Sequence, residues 1–220
     1  MGLAITVGML DELMDNGAEH LSSETCREEF ALLSRALAEE GVTWREPEPA
    51  GPEVTGRPEA VDRFAGRIAY SDLSLLRRVL VLAAWGEPVT PAPEPGSRQD
   101  ELDQSRIDDQ TSMFSSHLLC HSDNAGYYIP VDFDDPLFLA DRSVAGAGMV
   151  GSSQQLLAEL VGFAPAIGVR RGPDGSVGED EPARAADAPS DPFGRETYAW
   201  HQLYRACLAS IAGGRAIVFH

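Results

Sequence analysis

Residues 115–133 read Ser-Ser-His-Leu-Leu-Cys-His-Ser-Asp-Asn-Ala-Gly-Tyr-Tyr-Ile-Pro-Val-Asp-Phe, and no other run constrains the fold as strongly. Two apolar-aromatic stretches, 116–121 and 127–133, flank the turn formers Ser122, Asp123, Asn124, Ala125 and Gly126. An Asp side chain can accept from a backbone N–H two residues on, and Gly tolerates a positive φ. The pattern predicts a β-hairpin with a longer loop at the centre of the chain.

Around this run, cap and stop signals predict four helices. Thr25 and Glu28 have capping-box spacing; Cys26, Phe30, Leu33 and Leu37 follow on one face, and Gly41 ends the helix. Ser71-Asp72 precede the strongly apolar segment 73–85, interrupted by Arg77 and Arg78, so a largely buried helix is expected. Ser152 and Gln155 cap a helix whose core face is Leu156, Leu157, Leu160, Val161 and Phe163, before Pro165. Pro192 or Phe193 opens a long helix lined by Thr197, Trp200, Tyr204, Cys207, Leu208 and Ile211. Residues 2–9 read as a short strand or a helix entry, and 215–220 as a closing strand. Pro-rich acidic loops are expected at about 45–60 and 87–110, where 99–107 is a polar helix or mobile. Residues 171–191 are expected to be disordered. The fold expected is α+β: a predominantly helical single domain over 1–220, with a small antiparallel sheet that includes the central hairpin.

Asp and Glu number 35 against 17 Lys and Arg, a formal charge of -18. Such a field repels phosphates and anionic membranes, so neither a nucleic acid nor a membrane is an expected partner. The expected partner is a small-molecule ligand or a basic protein. The chain has no long apolar run and no signal-peptide pattern at its start, which reads as cytoplasmic. Cys26, Cys120 and Cys207 are widely spaced, so no Cys-x-x-Cys metal or redox motif exists.

The central run resembles a bacterial protein family with a Ser-His-Leu-Leu-Cys-His-Ser-Asp signature, then Gly, an aromatic pair and Pro-x-Asp-Phe. The matching residues are 116–123, 126–128 and 130–133, with further likeness at Gly151-Ser152-Ser153, Leu156-Leu157 and the end 216–219. The related pattern often has Cys and an acid where this chain has Asn124-Ala125. The resemblance implies no activity, so the chemistry is read from the residues.

His121 and Asp123, beside Tyr127 and Tyr128 and near His117, offer a tunable proton carrier, a carboxylate and phenolic donors. The expectation is a small-molecule enzyme using them for general acid–base work in a pocket beside the hairpin, with no cofactor. His117, His121 and Asp123 form a secondary metal-binding reading. Asp132, Asp134 and Asp135 lack the Gly and Glu of a calcium loop. His121-Ser122-Asp123 are adjacent, and triad members converge from separate segments. The alternative is a non-catalytic acidic, immunity-like binding protein, in which both His are buried anchors and Asp123 caps a turn.

Overall fold

The computed structural model describes residues 2–16, 23–49, 62–172, 177 and 191–220. In chain order the elements are β1 (Gly2–Val7), α1 (Met9–Asn16), α2 (Ser23–Glu39), β2 (Phe64–Ala69), α3 (Tyr70–Ala84), α4 (Arg98–Thr111) and α5 (His117–Cys120). Then come β3 (Gly126–Ile129), β4 (Leu137–Phe138), β5 (Met149–Ser152), α6 (Ser153–Phe163), a 3-10 turn (Ala164–Ile167), α7 (Gly194–Gly213) and β6 (Ile217–Phe219). The six strands form one sheet in the order β2-β1-β6-β3-β5-β4. β3 and β5 run parallel, and the other pairs run antiparallel.

Strand alternation divides the core into two layers. Leu3, Ile5, Tyr128, Ile217 and Phe219 face α3, α6 and α7, where Leu76, Leu160 and Trp200 are fully buried. Trp200 Nε1 donates to Leu160 O at 2.8 Å, so its burial leaves no polar atom unsatisfied. Tyr127, Ile129, Val150 and Val218 face the other way, onto Met9, Leu10, Phe30, Leu33 and Leu37 of α1 and α2. Helices therefore cover both faces of the sheet, which places β3 in its interior.

α4 is built differently. Its one buried residue is Asp103. Arg78 of α3 donates to Asp103 Oδ2 at 2.6 Å, to Thr90 O at 2.7 Å and to Thr90 Oγ1 at 3.1 Å. A buried ion pair holds only when hydrogen bonds offset its desolvation, and both partners here are well supplied. α4 is thus fixed by a charged peg and contributes little to the apolar core.

The α+β class and the four helices stand, but of the expected caps only Ser152 acts as one. α2 begins at Ser23, before Thr25, α3 begins at Tyr70 behind Ala69, and neither α3 nor α7 has a side-chain cap. Two further parts of the expectation are corrected. The sheet is a six-stranded mixed sheet, larger than the small antiparallel one foreseen. The central hairpin is absent, because 117–120 is a helical turn and β3 pairs with β5 and β6. Its cause is local and long-range at once. Ser116 Oγ accepts from Leu119 N at 3.1 Å, while the Glu159 carboxylate accepts from His117 N at 2.7 Å and Leu118 N at 3.0 Å. Those bonds satisfy the free N–H groups of a helix start. The acidic loop expected at about 87–110 contains α4. Of the other two loops, 50–60, 173–176 and 178–190 lie outside the described residues. Among the described residues, no helix is long and apolar enough to cross a membrane.

Candidate functional site

The central run packs as a knot between α3, α6 and the sheet. His117 is 1% exposed. Its Nδ1 accepts from Ser152 N at 2.9 Å, and its Nε2 lies 3.2 Å from Asp134 O. A carbonyl can only accept, so Nε2 carries the proton and the ring is neutral with both nitrogens engaged. Burial lowers its pKa, against the opposing pull of Asp134 O. His117 ties α5 to β5 and to the 130–136 connection.

His121 is also buried. Nδ1 donates to Ser122 O at 2.8 Å, and Nε2 has no partner among the described residues. The ring lies flat on Tyr128, centroids 4.2 Å apart, and meets Phe219 edge-on at 4.6 Å. Burial pushes its pKa down to about 4. Gly126 makes the space: a β-carbon there would stand 2.9 Å from His121 Cε1, and its φ of +137° favours glycine in any case.

Asp123 does not orient His121. It pairs with Arg77 Nη1, while Arg77 also donates to Leu118 O at 3.0 Å and His121 O at 2.7 Å. Tyr128 is fully buried and donates to His117 O at 3.0 Å; burial holds its phenol far above the ordinary range. Tyr127 lies on the opposite face of β3, against Phe30 at 5.9 Å. Burial, then the nearby Glu29 charge, raises its phenol as well. The residues read as one site therefore split: His117, His121 and Tyr128 share a face, Asp123 sits half-exposed on Arg77, and Tyr127 is beneath the sheet. The metal reading of His117, His121 and Asp123 is corrected, since His117 and Asp123 are committed elsewhere. Among the described residues no group of three or more His, Cys, Asp and Glu is placed to hold a metal ion.

A groove of about 840 Å³ lies on the other side of the sheet, between α2 and 43–48, with Phe30, Ser34 and Trp44 in its lining. It is not beside the two His. Cys120 is half-buried with its thiol raised by burial, the opposite of an activated nucleophile.

The sequence names Arg77 only as a break in an apolar helix and Gly151 only within the family likeness, and it gives Glu159 no role. Arg77 and Glu159 hold α5 from its two ends. Glu159 accepts three bonds, the third from Ser116 Oγ at 3.1 Å, yet burial still raises its pKa. Gly151 faces Tyr128 in the ladder, where a β-carbon would meet the ring at 2.2 Å. An Arg within an apolar helix and a Gly before a cap were the available signals.

The surface is of another character. All 17 basic residues are Arg, and several are drawn into pairs with Asp: Arg63 and Arg215 to Asp11, Arg77 to Asp123 and Arg78 to Asp103, while the exposed Arg195 meets Asp72 at the surface. Among the described residues, the exposed Glu24, Glu28, Glu39, Glu101, Asp108, Asp109, Asp132, Asp134 and Asp135 make no ion pair. Residues 107–141 hold seven carboxylates (Asp108, Asp109, Asp123, Asp132, Asp134, Asp135, Asp141) and no Arg or Lys.

A family model described as "Putative DNA-mimic protein" matches residues 1–219. No curated protein and no solved structure matches the chain.

Proposed function

We start from the fact that the chain belongs to the DNA-mimic family, and we propose that it acts without catalysis, by occupying the DNA site of a DNA-binding protein. The family match corrects the expected partner. A protein that imitates DNA takes its place on DNA-binding proteins, so neither a small-molecule ligand nor a basic protein in general is the partner it points to. It also favours the acidic binding protein over the acid–base enzyme.

The observation that carries this reading is the surplus of unpaired carboxylates. DNA presents a regular row of negative charge, and DNA-binding proteins meet it with Arg and Lys. Here Arg63, Arg77, Arg78 and Arg215 are drawn into pairs with Asp, while exposed Asp108, Asp109, Asp134 and Asp135 make no ion pair among the described residues. The inward-facing His117, His121 and Tyr128 support the same reading, since they brace the sheet. The central signature is, on this proposal, a mark of the shared fold.

The test is displacement. DNA-binding proteins from a bacterial lysate, loaded on DNA-cellulose, are washed with the purified chain, and a released protein is titrated against a fluorescent duplex. The chain should compete with the duplex, and raising salt from about 50 to 200 mM should weaken its binding by at least tenfold, as for DNA. Release of no DNA-binding protein at low salt would overturn the proposal.

A further inference from the structure

Large apolar side chains are unevenly exposed. Among the described residues eight stand out: Trp85, Leu102, Met113, Phe114, Phe138, Tyr198, Leu208 and Ile211. The first five lie on α4, just after it, beside it, or on β4; the last three lie on α7. Phe114 is 57% exposed and Met113 68%. Phe114 meets Phe138 edge-on, ring centroids 5.4 Å apart, so the two form one patch across the α4 end and the outermost strand. An exposed aromatic pair costs solvation and gives no core packing, the usual mark of a contact surface.

We propose that Phe114 and Phe138, with Met113, are the apolar centre of the surface that docks on the partner, a DNA-binding protein that touches base edges as well as phosphates. The inference rests on the function proposed above. Charge complementarity selects this occupant. The patch lies within residues 107–141, which hold seven Asp and no Arg or Lys; of the seven, only Asp123 is in an ion pair among the described residues, with Arg77. Asp108 and Asp109 precede it on the last turns of α4, and Asp134 and Asp135 precede Phe138; all four are exposed. The α7 residues lack that setting, because the exposed Arg195 and Arg205 each stand three positions before Tyr198 and Leu208, on the same face of the helix. Proteins that read DNA bring cations to the phosphates and apolar side chains to thymine methyl groups or base faces. Carboxylates around an edge-on pair of aromatic rings offer both chemistries at once. A partner that binds only phosphates would use the carboxylates and ignore the rings.

The experiment uses the full chain and the protein that it releases from DNA-cellulose. Phe114→Asn suits the left-handed backbone at this position (φ 56°), and Phe138→Thr suits a strand. The F114N/F138T double variant should raise the concentration needed for half-displacement of a fluorescent duplex at least tenfold. Tyr198→Ser with Leu208→Gln on α7 should leave it unchanged. Thermal melting of each variant reports the fold, and the single variants F138T and M113Q serve if the double does not fold. A wild-type chain that competes while the folded F114N/F138T, F138T and M113Q compete equally well would overturn the patch and leave the DNA-mimic function standing. A wild-type chain that releases nothing would remove both.

Discussion

Tyr128 occupies the space that a side chain on Gly151 would fill: a β-carbon at 151 would lie 2.2 Å from Tyr128 Cδ1. The two residues face each other across the parallel β3–β5 pair. On its other side the same ring carries His121, with the planes 10° apart. The sheet therefore closes over the central run by stacking, with glycine where each aromatic needs room.

Gly151→Ala should destabilise the protein by about 1–3 kcal/mol, the range for overpacking a core that cannot give way. Tyr128→Leu should lose packing and the bond to His117 O. The two changes should couple, so the double variant costs less than the sum. Urea unfolding of all four proteins measures this. Strict additivity would show that the ring moves aside freely.

Asp123 carries the most direct test of the acid–base expectation. Its side chain is 43% exposed and bonded to Arg77. Asp123→Asn should cost no more than about 1 kcal/mol, as for other exposed pairs. Arg77→Ala should cost about 3 kcal/mol, because Leu118 O and His121 O lose their donor. Denaturation midpoints should rank wild type, D123N and R77A in that order. A reversed order of the variants would mean that Asp123 holds the turn by itself.

The Ser152 cap was legible in the sequence because capping is local, whereas Ser71 lies inside α3, whose N-cap Ala69 has no side-chain bond. Ser152 accepts from Gln155 N at 3.2 Å, within the same four residues that carry the pattern. The segment 117–120 was misread because what bends it is remote: Glu159 lies more than 40 positions away, and Ser152 reaches His117 from β5. β5 itself, Met-Val-Gly-Ser, is too short and too small to show alternation. The central run was legible as a packing centre, since His121 stacks on Tyr128 and Tyr128 bonds His117 O. Their direction was not, because it depends on Gly126 and Gly151 opening space inward.

Glu46 gives the protein a pH signature. Its Oε2 accepts from Ala216 N at 2.8 Å, its Oε1 has no partner among the described residues, and burial raises its pKa from 4.5 to about 7. The unfolded chain then releases this proton at lower pH than the folded one. Stability from Glu46 is full below pH 4.5 and is lost as pH rises to about 7. Glu46→Gln removes the titration, so its stability relative to wild type should rise across that window by on the order of 3 kcal/mol. His121 works in the opposite sense. Its pKa is lowered from 6.5 to about 4, so acid costs stability across that span in both proteins and cancels in the comparison. A wild-type minus E46Q difference that is flat from pH 4.5 to 7 would show that Glu46 ionises freely.

The last prediction concerns the peg that orients α4. Asp103 is 2% exposed and bonds Arg78 at 2.6 Å, Gln99 Nε2 at 2.7 Å and Arg106 Nη1 at 3.2 Å. Asp103→Asn keeps the shape and strands the Arg78 charge, 4% exposed, among neutral partners. Breaking a buried pair in this way costs about 3–5 kcal/mol, far more than an exposed pair would. α4 has no apolar stripe to retain it, so the loss should fall there first. Hydrogen exchange should show 98–111 opening well before α3 or α7, and displacement of DNA-binding proteins should weaken with it. Replacing both partners, Arg78→Met with Asp103→Leu, should restore most of the stability by exchanging the ion pair for packing. A D103N variant that melts and exchanges like wild type would mean that α4 is held by its contacts with Trp85 and Glu87 instead.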